Sequence, residues 1–159
     1  MKASLYIVLS FFLVSTVLAS EKQRDRPIEV SSPDRNVKVI FQITHGVPFY
    51  SVQRKNQPII LNSRLGFVFR DQAALTKDFK IISSRPSFFD ETWTQPWGEV
   101  KTIRNQYNSV VIMLEEQTTL RRKLTVEFRV YNDGLGFRYE IPLQPNLKDF
   151  VIMDELTEF

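Results

Sequence analysis

Apolar and polar residues alternate along most of this chain with a period of two, the spacing that sends successive side chains to opposite faces of a β-strand. Val37, Val39, Phe41 and Ile43 share one face, with Lys38, Gln42 and Thr44 on the other. His45-Gly46 reads as a turn and Phe49 to Val52 as the returning strand, with Pro48 confined to its start because proline cannot donate to the ladder. Arg54 to Gln57 is a second polar turn, ahead of Pro58 to Leu61. Leu65, Phe67 and Phe69 alternate again. After a polar segment with room for a helical turn, Phe79, Ile81 and Ile82 resume the sheet pattern.

Further along, Val110 to Leu114 is apolar on both faces, which predicts a strand lying between two layers. Leu124, Val126, Phe128 and Val130 oppose Lys123, Thr125, Glu127 and Arg129. Asn132-Asp133-Gly134 is the clearest hairpin turn, made of residue types that accept positive φ. Leu135, Phe137, Tyr139 and Ile141 answer as its partner strand, and Phe150 to Met153 starts another. The pattern predicts about eight to ten sequential antiparallel strands and no helix, hence an all-β sandwich.

One stretch breaks the alternation. "FDETWTQPWGEVKTIRNQYN", Phe89 to Asn108, holds both tryptophans of the protein within a run of acids, amides and bases. Trp93 and Trp97 offer flat faces for a sugar ring, while Asp90, Glu91, Glu99, Arg104, Asn105, Tyr107 and Asn108 supply hydroxyl-bonding groups beside them. The same residues equally suit a long loop whose tryptophans plug the core. Composition alone leans slightly to the plug.

The first twenty residues stand apart from any fold. Lys2, an apolar run from Leu5 to Leu18 and Val17-Leu18-Ala19 make the pattern of a secretory signal peptide, too short for a membrane span. The expected division is a signal peptide at 1–20, a polar leader at 21–31 and a sandwich domain at 32–159. The mature chain is then periplasmic or secreted, with no membrane attachment. It must stabilise itself by core burial, because the chain has no cysteine. Without residues 1–20 the chain keeps 20 basic and 18 acidic residues, too balanced for a nucleic-acid surface. Arg121-Arg122-Lys123, the one basic run, reads as the polar start of a strand.

Independent catalysis has no local motif. The one histidine, His45, sits in a turn, so histidine and cysteine metal sites are excluded by count. Asp90-Glu91, Glu115-Glu116 and Asp154-Glu155 are sequence neighbours, which on a strand point to opposite faces and make poor acid/base couples. No catalytic residue and no metal ligand is assigned in this chain.

"SPDRNVKVIFQI", "RLGFVF", "FDETWTQPWGEVKTIRNQYN", "FRVYNDGLGFRYEIP" and "DELTEF", in that order, resemble the N-terminal region of glycoside hydrolase family 97. The resemblance runs from about Ser32 to Phe159. It implies an antiparallel β-super-sandwich of the galactose-mutarotase kind, here incomplete at its C-terminal end. It implies a periplasmic α-glucosidase or α-galactosidase acting on α-linked oligosaccharides, whose catalytic (β/α)₈ barrel is missing from this chain. The Ca²⁺ such enzymes use would have most of its ligands outside this chain as well. Under that resemblance Trp93, Trp97, Glu99, Arg104, Asn105 and Tyr107 become candidates for carbohydrate or interdomain contact, on an insertion reaching towards the barrel. The alternative is a free-standing, non-catalytic carbohydrate-binding or structural sandwich.

Overall fold

A computed structural model describes residues 26–159. The export segment read at residues 1–20 lies outside these described residues. Ten strands follow one another: β1 (Ile28–Ser31), β2 (Val37–Thr44), β3 (Val47–Arg54), β4 (Gln57–Arg64), β5 (Phe67–Phe69), β6 (Phe79–Thr94), β7 (Thr102–Glu116), β8 (Lys123–Val130), β9 (Leu135–Glu140) and β10 (Ile152–Glu155). Among the described residues there is no helix, and the polar segment after Phe69 forms bends with Leu75 bridged to Phe67.

Two four-stranded antiparallel sheets, β1-β2-β3-β4 and β6-β7-β8-β9, face each other, and β5 with β10 makes a small ribbon beside them. The sequence alternation is the cause. In β2, Val37, Val39 and Phe41 are buried while Lys38 and Gln42 stay partly exposed. From the opposite sheet Val110, Ile112, Leu114, Leu124, Val126 and Phe128 answer them. Contact across the gap is direct: the Phe41 and Phe128 rings lie 6.2 Å apart, and those of Tyr50 and Phe128 5.9 Å. Each large apolar side chain so buried contributes roughly 1.5–3 kcal/mol, which is how a chain without disulfides holds together.

Four expectations change. Strand pairing begins at Ile28, inside the segment read as a polar leader, because β1 closes the edge of β2 with Val30 opposite Val39. Val111 and Met113 are only half buried, so β7 has one covered face and one partly open one. The Asn132-Asp133-Gly134 turn closes by Tyr131 N–H donating to the Gly134 carbonyl at 2.8 Å, without any of the three residues entering the left-handed region. And Phe89 to Asn108 is no loop inserted between strands, as described next.

Candidate functional site: a β-hairpin arm

β6 and β7 pair without interruption from Ser83–Met113 out to Thr94–Thr102, leaving only Gln95 to Lys101 as a connecting loop. β8 stops accompanying β7 at Asn108. Beyond that point the two strands run on alone as an arm projecting from the β6-β7-β8-β9 sheet, here called the back sheet. The alternation is hard to see in the sequence because neither face of the arm is buried in the core.

Direct partners share a face in an antiparallel pair. Phe89 with Tyr107, Glu91 with Asn105 and Trp93 with Ile103 therefore line one face, continuous with the outer side of the back sheet. Phe88 with Asn108, Asp90 with Gln106 and Thr92 with Arg104 line the other, continuous with the inner, core-facing side. So the structure divides the six candidates. Trp93, Asn105 and Tyr107 come together on the outer face; Arg104 lies on the inner one; Trp97 and Glu99 sit in the tip loop.

The outer face is built on stacking. Tyr107 is buried, its ring 5.2 Å from Phe89 and 5.1 Å from Tyr131, with the Arg129 guanidinium 5.1 Å from its centroid. Arg129 donates in turn to Glu127 at 2.7 Å, and Arg138 donates to the same carboxylate at 2.6 Å. Burial would push the Glu127 carboxyl up, yet the two arginines together hold it below the usual range. On the inner face Arg104 grips Asp90 through two bonds of 2.8 and 2.6 Å, and Gln106 adds a third at 3.0 Å. The Arg104 fork is the main cause of the lowered Asp90 pKa.

Neither tryptophan plugs the core. Trp93 is 43% exposed and Trp97 85% exposed. The tip that carries Trp97 is held by Gln95, whose Nε2 donates to the Val100 carbonyl at 2.7 Å and whose N–H donates to Lys101 at 3.0 Å. Phe89, Ile103, Arg129 and Tyr131 escaped the sequence reading. A hairpin centred on Gly98 would have paired Phe89 with Tyr107 and Trp93 with Ile103, so part of the signal was present.

Chemically the arm offers exposed aromatic rings and hydrogen-bonding groups rather than an acid/base pair. Among the described residues no three acidic or histidine side chains gather to hold a metal ion. The buried carboxylates of Glu116 and Glu127 are occupied by arginines. The Ca²⁺ implied by the resemblance does not fit these residues.

The glycosyl-hydrolase 97 N-terminal family model matches residues 30–159. A family 97 enzyme from Pseudoalteromonas sp. strain K8, solved in complexes with panose and with acarbose, is 38% identical. The likeness covers 83% of this chain and 20% of that one, at a TM-score of 0.79. A β-arabinopyranosidase structure, 24% identical at a TM-score of 0.72, shares the fold. The retaining α-galactosidase of Bacteroides thetaiotaomicron is 22% identical over 95% of this chain and 21% of its own length. The chain thus spans about a fifth of the length of these relatives.

Proposed function

The chain belongs to glycoside hydrolase family 97 as an N-terminal domain of that family, and from this premise we propose that it serves an exported α-glycosidase by docking a catalytic barrel. In this reading the β6–β7 arm reaches the barrel and forms part of the rim of a pocket for α-linked oligosaccharides. The observation that carries it is Trp97, a large apolar ring 85% exposed at the end of a projecting arm. Uncovered aromatic surface of this kind usually marks a contact with another body. The panose and acarbose complexes of the 38% identical relative support the ligand class. The signal-peptide pattern of residues 1–20 supports a periplasmic or secreted location, and in this reading most ligands of the complete enzyme's calcium lie outside this chain.

Trp97→Ala tests it in two contexts. In this chain alone the change costs under about 1 kcal/mol in denaturant unfolding, as exposed substitutions do. In a protein carrying this domain joined to its barrel, kcat/KM for an α-glycoside falls at least about tenfold, because a displaced pocket wall loses transition-state contacts. Unchanged kcat/KM there would overturn the docking role of the arm.

A further inference from the structure

The arm has a second face, and at its root the inner side opens into a cleft of about 590 Å³. One wall is β1 with the turn that follows it; the other is Pro86 to Phe88 of β6 with Asn108 of β7. Pockets of roughly 300–1,000 Å³ suit small organic ligands. We propose that this cleft is a binding site for one sugar residue of a neutral oligosaccharide. The ligand class rests on the glycosidase reading above; the place does not.

Three observations carry the assignment. First, Phe88 is on the face that farther along becomes the core, opposite Asn108 and in line with Val110, yet it is 58% exposed. β1 ends before it can cover the ring. An uncovered aromatic ring lining a cleft is what the C–H side of a sugar ring packs against. Second, the hydroxyl-bonding groups are of both signs and balanced. Glu29 and Arg35 line the same cleft; Lys38 pairs with Glu29 at 3.3 Å, and the Asp34 carboxylate next to Arg35 in the turn offsets the remaining positive charge. Such a set suits a neutral polyol better than a phosphate. Asn108 donates its amide to the Ser31 carbonyl at 2.8 Å, which leaves its carboxamide oxygen as an acceptor.

Third, the wall is fixed in advance. The Asp34 carboxylate accepts from Asn36 N–H at 3.0 Å and from Asn36 Nδ2 at 2.7 Å, and Asp34 N–H donates to Asn132 at 3.0 Å. These bonds hold Arg35 at a φ of 60°. Preorganisation of this kind reduces the ordering cost that weakens binding. Along the same face Asp90, Gln106 and Arg104 follow at the strand repeat of about 6–7 Å per two residues, placing a second polar group set beside the first. An α-linked disaccharide lying from the cleft onto the arm would meet both.

The test is a ¹⁵N–¹H titration of this chain with maltotriose and with melibiose, using sorbitol and inorganic phosphate as controls. Probes are taken to about 20 mM, well above a millimolar Kd. Amide shifts are expected at residues 29–35, 86–90 and 106–109 with at least one of the two sugars and with neither control. Phe88→Ala and Arg35→Asn, the latter chosen because asparagine tolerates positive φ, should each weaken Kd by about tenfold or more. Leu143→Ala, an exposed position that does not line the cleft, should leave Kd unchanged. The cleft is overturned by absence of any sugar shift, by shifts centred on Trp93 and Trp97, by an equal response to the controls, or by a Phe88→Ala chain that binds as before. No sugar shift here, together with a kcat/KM loss for Trp97→Ala in the barrel-containing protein, removes the cleft alone. Binding here without that loss removes the docking role alone.

Discussion

At the scale of single residues, the Arg122 guanidinium is the most consequential group in the fold. It is fully buried and makes a two-point pair with Glu116 at 2.9 and 2.7 Å. Its remaining donors reach the Ala73 and Ala74 carbonyls at 2.6 and 3.1 Å, tying the segment after β5 to the turn between β7 and β8. Removing one partner of a buried pair strands the other charge, so Arg122→Ala should cost about 3–5 kcal/mol in urea unfolding. Arg122→Lys should recover little, since an ammonium cannot reproduce the planar fork. A loss under about 1 kcal/mol, the range of surface substitutions, would mean that water replaces the guanidinium without penalty. In the sequence this arginine is indistinguishable from Arg121 and Lys123 beside it. Its role depends on carbonyls 48 and 49 residues away, a long-range fact that no local pattern carries.

At the scale of elements, the arm is a two-stranded ribbon, and such ribbons alone are marginal in water. This one is held at its base by the Phe89–Tyr107 stack, in its middle by Arg104 with Asp90, and at its end by the Gln95 loop. The loop needs Gly98. Its φ is 114°, and a Cβ there would stand 2.7 Å from Gln95 Nε2. Gly98→Ala should therefore cost about 1–3 kcal/mol of local strain. Hydrogen exchange should show that cost as lost protection in residues 93–103, with protection of β8 unchanged, because arms can open without global unfolding. Protection lost equally in β8 would make the arm part of the cooperative core. The reason the sequence hid this element follows from the same geometry. β2 and β7 from Val110 to Leu114 each bury one face, and β8 sends its apolar side chains to the core alternately, so selection for burial writes a period of two into them. The arm packs neither face against the core, and the pattern dissolves into a mixture of acids, amides and aromatics. β1 was hidden for a different reason: four residues at a sheet edge, next to Pro27, give too short a run to count.

At the scale of the whole molecule, carboxylates set the response to acid. Burial alone would raise Glu116 and Glu127, but arginine hydrogen bonds and charge bring both below the usual range. Asp34, Asp90 and Glu158 are lowered too, by Ser32, Arg104 and Arg64 respectively before any other cause. A carboxyl whose pKa is lower in the folded state binds protons more readily when unfolded. Its contribution is present above the unfolded value, 4.5 for glutamate, and is lost as pH falls through the folded one. The melting temperature should hold between about pH 7 and pH 5, then fall below about pH 4.5. Salt separates the contributors. Asp90 and Glu158 pair at the surface, where a Debye length of about 3 Å in 1 M salt removes most of their attraction. Glu116 pairs with the fully buried Arg122 and is screened far less, whereas the partners of Glu127, Arg129 and Arg138, are 40% and 65% exposed and their attraction is partly screened. In about 1 M salt the acid-induced fall should persist in the wild-type chain and become shallower in Glu116→Gln. A melting temperature flat to about pH 3 would contradict the lowered carboxyls, and a fall that vanishes in salt would place the acid response on the exposed Asp90 and Glu158 pairs rather than on the buried Glu116.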